Sequence, residues 1–195
     1  MIKPYSYIYI STIDKHLDVL ITHPERLEEI KNCKSDKTKR EKTSVWNLLE
    51  LVLKEQLNLD INSLNLTKNE NSKWVCEHLY ISFSHSKDLI MVGVSSHPIG
   101  VDIQEIRPIE NPKTLAKLAS IEYFEEKDSV EYLIEEWSKK EAVFKKENLK
   151  KFIGSEINVD NFTKTIFNNY NYNNATYVAV VSQNIDIKQD IKIII

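Results

Sequence analysis

Glycine is scarce, with only 3 in 195 residues, and none stands in a G-x-G-x-x-G or Walker A pattern. That excludes the glycine-rich loops that cradle nucleotide phosphates. Cysteine is scarcer still. Cys33 and Cys76 lie far apart, outside any Cys-x-x-Cys spacing, which argues against a disulfide framework or a thiolate metal site and predicts reduced thiols. Basic residues do not outnumber acidic ones, and the net charge of −3 argues against a general nucleic-acid binder. No apolar run approaches the roughly 18–20 residues of a membrane span, and the N-terminus lacks a signal-peptide pattern. The expectation is a cytoplasmic protein with neither a nucleic-acid nor a membrane partner.

What is present is ordinary folding material, 42% hydrophobic and 28% charged, enough to bury a core. "YSYIYIST" (5–12) alternates like a strand. "PERLEEIKNC" (24–33) reads as a helix with proline in its first turn. In "TSVWNLLELVLKEQL" (43–57), Val45, Leu48, Leu49, Val52 and Leu53 form a helical stripe suited to covering a sheet. A polar loop (65–73) precedes three strands in quick succession, "HLYISFS", "LIMVGVS" and "IGVDIQEI". The second half predicts helices over 112–124 and 129–147, the latter with Asp128 and Glu131 spaced as a capping-box variant. "TKTIFNNY", "ATYVAVVS" and "IDIKQDIKIII" then suit antiparallel strands. Each half thus offers one long helix and about three strands. The predicted fold is α+β: two similar subdomains, 1–98 and 99–195, each a helix on a small, mainly antiparallel sheet.

Three places carry unusual chemistry. Asp102 stands inside the apolar strand "PIGVDIQEI", where Asp is normally depleted; alternation puts Asp102 and Gln104 on one face and Val101 and Ile103 on the other. On the helix "WSKKEAVFKK", Trp137, Lys140, Glu141, Phe144 and Lys145 share a face about 140° wide. A core-facing helix would place only apolar residues there. Taken alone, Glu141 and Lys145 read as an i, i+4 ion pair of the kind helices commonly form. "ISFSHSKD" ends a strand with Ser84, His85 and Ser86, which can donate hydrogen bonds to an anion.

Together these stretches resemble the 4′-phosphopantetheinyl transferases of the Sfp-like, monomeric, two-halved type. That family carries a Ser-His-Ser at a strand end, a Gly-(Ile/Val)-Asp-x-Glu strand and a Trp-Ser-x-Lys-Glu-Ala/Ser-x-x-Lys helix. The chain reads Ser84-His85-Ser86, then Gly100-Val101-Asp102-Ile103-Gln104, then Trp137-Ser138-Lys139-Lys140-Glu141-Ala142-Val143-Phe144-Lys145, in the family's order and with similar separations.

The resemblance implies transfer of the 4′-phosphopantetheine arm of coenzyme A to a serine of an apo acyl or peptidyl carrier protein, serving fatty-acid, polyketide or nonribosomal-peptide synthesis, with release of 3′,5′-ADP. It implies a monomer built as a pseudo-dimer in the family's fold. It assigns Mg²⁺, with Mn²⁺ as an alternative, to Asp102, Glu141 and Gln104, a set of hard oxygen donors such as Mg²⁺ prefers. Lys140, Lys145 and His85 become cations or donors for the phosphates, and Glu141, or water beside it, the base for the carrier serine. Gln104 departs from the family's acid and weakens the metal site by one charge. Coenzyme A would be gripped further by Lys39, Arg40 and Lys42 of "DKTKREKTSVW", by Ser84, and by Lys73 of "NSKW", which resembles the turn near the adenine. The family's arginine further into the first long helix has no clear match, Val45 or Trp46 standing there. The alternative reading is a weak or inactive relative that binds coenzyme A or carrier proteins.

Overall fold

The computed structural model describes residues 4–122, 130–159, 163–183 and 188–195. The chain is a mixed α+β protein. It forms two compact units, one made of Met1–His97 with Ile187–Ile195 and the other of Pro98–Asp186.

The first unit is a four-stranded sheet of β1 (Ser6–Thr12), β4 (Tyr80–Ser86), β5 (Leu89–Ser95) and β9 (Gln189–Ile194), in the order β4-β5-β1-β9. β2 (Thr67–Lys68) and β3 (Trp74–Val75) pair as a separate two-stranded sheet. The β4–β5 hairpin closes through Lys87, which adopts a left-handed φ of 51°. Ser84, His85 and Ser86 are thereby the last three residues of β4, opposite Met91, Ile90 and Leu89. Helix α1 (Pro24–Lys31) precedes α2 (Asp36–Val52), which runs on through a π-helical turn, Leu53–Leu57. The predicted stripe of α2 is fully inside, Val45, Leu48, Leu49, Val52 and Leu53 all being buried. They share a core with Tyr9, Val92, Val94 and the tilted pair Trp46 and Trp74, whose ring centroids are 4.7 Å apart.

Helix α2 starts seven residues earlier than its apolar stripe suggests. Ser35 caps it by accepting a hydrogen bond from the Thr38 amide (3.1 Å), so the charged run 36–42 is helical and presents Lys39, Arg40 and Lys42 from the opening turns.

The second unit is a three-stranded antiparallel sheet of β6 (Ile99–Ile106), β7 (Thr163–Tyr172) and β8 (Ala175–Gln183), in the order β6-β8-β7. Helix α4 (Val130–Lys146) packs on it, and α3 (Pro112–Ala119) packs on α4. The β7–β8 hairpin turns on Asn173 and Asn174, with φ of 48° and 59°; asparagine tolerates that left-handed geometry better than most residues. Helix α3 stops at Ala119, earlier than the predicted 124, because Ser120 takes φ 51° and closes its end. Asp128 of the expected capping box lies outside the described residues.

One expectation fails. The final segment does not join the strands of the second half; β9 pairs in parallel with β1, Ile8 opposite Ile191 and Ile10 opposite Ile193. Periodicity identifies a strand but not its partner. The edge of β1 left open by β5 takes β9, reinforced by Ser11 Oγ donating to the Ile194 carbonyl (2.7 Å) and by a Lys192–Glu55 ion pair (2.6 Å).

Candidate active site

In the second unit, the meeting of β6 and α4 begins with Gly100. A methyl group there would sit 1.8 Å from the Ala142 carbonyl oxygen and 2.6 Å from the Lys146 amide nitrogen. The strand therefore lies directly against the helix backbone. Asp102 and Gln104 follow at two-residue steps, on the face that looks at α4. Val101 and Ile103 take the opposite face and are wholly buried.

Asp102 is 1% exposed, yet both of its carboxylate oxygens are engaged. Oδ1 accepts from the Lys145 ammonium at 2.7 Å, and Oδ2 accepts from the Gln104 amide at 3.1 Å. Lys145 also donates to the Val101 carbonyl (3.1 Å) and lies 3.8 Å from Glu141 Oε2. The i, i+4 pair suggested by spacing is thus the longer contact, and the tight partner of Lys145 is the strand acid. Burial pushes the Glu141 carboxyl above its ordinary range; Lys145 opposes the shift and the negative Asp102 adds to it. The two acids, 39 positions apart in sequence, sense one another across a single ammonium.

The rest of the predicted helix face divides. Lys140 is buried, and its ammonium donates to the carbonyls of Gly154 (2.6 Å) and Ile157 (3.1 Å). It clasps the short turn Gly154–Glu156, whose Gly154 presses so closely on Ala119 that a methyl group would meet backbone at 2.4 Å. Trp137 and Phe144 both pack on Phe152, at ring separations of 4.9 and 5.6 Å.

The remaining candidates lie in the first unit. Ser84 is buried. His85 Nδ1 stands 3.7 Å from Oε1 of Glu41, a buried carboxylate that Lys37 approaches at 3.8 Å. Arg40 pairs with Asp14 and Lys39 with Asp36 (3.6 Å). Lys73 closes the 69–73 turn, its amide donating to Asn69 Oδ1 (3.0 Å).

Lys42 belongs to a denser group. It shares Glu29 with Arg26 and Lys68, at 2.6, 2.7 and 2.9 Å. Burial works against the Glu29 charge, but the bonds from Lys42 and Lys68 and the charge of Arg26 hold its carboxyl at about 2. Arg26 lies over Trp46 and Lys68 over Trp74, each 5.3 Å from the ring centroid. Neither Arg26 nor Lys68 stands in a motif, and only the fold reveals that three cations converge on one acid.

Among the described residues no group of three or more His, Cys, Asp or Glu is placed to hold a metal ion. The second unit offers two carboxylates and an amide, so any ion there would take its further ligands from water and substrate oxygens. That donor set is chemically suited to a hard dication, and between the two acids stands the Lys145 ammonium. Neither a protein-family model nor a curated protein matches the chain. Among the described residues no helix is long and apolar enough to cross a membrane.

Proposed function

We propose that the protein is a Mg²⁺-dependent 4′-phosphopantetheinyl transferase of the cytoplasm, acting on coenzyme A and an apo carrier protein. The observation that carries the reading is the convergence of Asp102 and Glu141 on one cation, at motif positions where the resemblance calls for metal ligands. Asp102 and Glu141 would hold the Mg²⁺, which would supply charge neutralisation for the pyrophosphate of coenzyme A.

The chain's own residues do the rest. Glu141, its carboxyl raised by burial, takes the proton of the carrier serine. The serine oxygen forms its new bond to the phosphorus that bears the pantetheine arm. The bond from that phosphorus to the bridging oxygen breaks, and 3′,5′-ADP departs with the electron pair. Lys145 provides a cation for the phosphate oxygens. In the first unit Lys42 is half-buried and His85 exposed, and the resemblance gives both to coenzyme A. Lys140, committed to the Gly154 and Ile157 carbonyls, supports the fold around α4 rather than the phosphates.

A second reading, a relative that binds without transferring, is favoured by the carboxylate partners that Lys39, Arg40 and Lys42 already have. Intact-mass measurement decides between them. With coenzyme A and Mg²⁺, the transferase adds a phosphopantetheine mass to at least one apo carrier in a panel of fatty-acid, polyketide and nonribosomal-peptide types. No mass gain on any of them, with coenzyme A binding intact, establishes the second reading.

A further inference from the structure

The position that a dication would take between Asp102 and Glu141 already contains a cation of the chain itself. The Lys145 ammonium is 2.7 Å from Asp102 and 3.8 Å from Glu141. Resting on the functional reading above, we infer that Lys145 and the divalent metal are alternative occupants of this gap, so that metal binding expels the ammonium and frees it for an anionic phosphate.

Two features of the site lead there. The first is access. Asp102 is 1% exposed, with one oxygen covered by Lys145 and the other by Gln104, whereas the Lys145 side chain is 21% exposed. A metal must displace at least one of those two donors to reach the carboxylate. Lys145, partly exposed and on a flexible four-carbon stem, can swing aside without moving the backbone.

The second is charge. Two carboxylates around one ammonium, at 2.7 and 3.8 Å, carry a formal net negative charge when both are ionised. In that state the site repels a pyrophosphate. Adding a dication while keeping Lys145 nearby turns the local sum positive, and the same site then attracts it. The lysine thus serves twice. It keeps a buried acid paired when no metal is bound, sparing the fold an uncompensated charge. Once released, it becomes a positioning cation for the incoming phosphate. Metal binding and anion binding are thereby coupled.

The experiment measures metal affinity alone, with no substrate present. Mn²⁺ binding is followed by electron paramagnetic resonance for the wild type and for Lys145→Met, a variant of similar length without charge. The expected result is Mn²⁺ binding tighter by about tenfold or more in Lys145→Met, since a repelling and competing cation is gone. Equal or weaker binding, in a variant whose circular dichroism matches the wild type, overturns the inference.

If Lys145→Met does not fold, lysine labelled with ¹³C at Cε is used in the wild type, with the Lys145 resonance assigned by its loss in Lys145→Arg. That resonance is expected to move on Mg²⁺ addition and to saturate with it. An unmoved resonance in a protein that binds Mn²⁺ also overturns the exchange. Absence of Mn²⁺ binding in both wild type and Lys145→Met is a different failure, because it removes the metal site itself.

Discussion

Gly100 and the Ala142 carbonyl oxygen are so close that a single added carbon would lie 1.8 Å from that oxygen. The atom in the way is helix backbone, which cannot rotate aside as a side chain can. Gly100→Ala should therefore push α4 off β6 and cost about 2–3 kcal/mol or more of stability, as overpacking against backbone does. Denaturant unfolding monitored by Trp fluorescence measures it, and a loss below about 0.5 kcal/mol would show that the strand and helix separate easily.

Lys140 should behave as a structural residue. Replacing it by Met leaves the carbonyls of Gly154 and Ile157 without this donor, a loss of about 1–3 kcal/mol for buried polar groups. Hydrogen exchange should quicken in the 153–158 segment while Mn²⁺ affinity stays near the wild-type value. Selective loss of coenzyme A binding without any change in exchange would instead return Lys140 to the phosphates.

The strand with an acid in it and the helix face mixing aromatics with charge were both visible as departures from ordinary apolar patterns. Asp102, Glu141 and Lys145 could be singled out because each breaks a local rule. Lys140 sat on the same wheel face, yet its partners are carbonyls of a turn that no periodicity marks. Strand pairing was equally hidden, since β9 alternates as well beside β1 as it would beside β8. The start of α2 was set by one hydroxyl, Ser35, upstream of the apolar stripe. Arg26 and Lys68, 16 and 26 residues from Lys42 in sequence and outside any motif, meet it only through folding.

The Glu29 cluster predicts a specific acid sensitivity. The folded carboxyl titrates at about 2 against an ordinary 4.5, so the folded state holds the ionised form more strongly than the unfolded chain does. The corresponding stability is present above about pH 4.5 and is lost as pH falls toward 2. Its size is on the order of 2–3 kcal/mol. Glu29→Gln should lower stability at pH 7 and flatten the loss between pH 4.5 and 2. An unchanged acid limb in chemical denaturation across that range would contradict the assignment.

Glu141 carries the opposite sign. Its folded carboxyl is raised above the ordinary range, so without metal its ionisation opposes folding. Stability from this group is highest below the ordinary carboxylate pKa and declines as pH rises through the folded one. Metal-free Glu141→Gln should then melt at or above the wild-type temperature at neutral pH. With saturating Mg²⁺ the order should reverse, because the metal stabilises only the protein that binds it. Thermal unfolding of both proteins, with and without Mg²⁺, reads this out.

The most direct test of the shared site is pantetheine transfer by Asp102→Asn, Glu141→Asn and the double variant, each followed as mass gain on an apo carrier that the wild type modifies. If both acids hold one ion, either single change removes nearly all transfer and the double variant is no slower than the worse single one. Losses that multiply, or wild-type transfer in either single variant, would mean that the two carboxylates work apart.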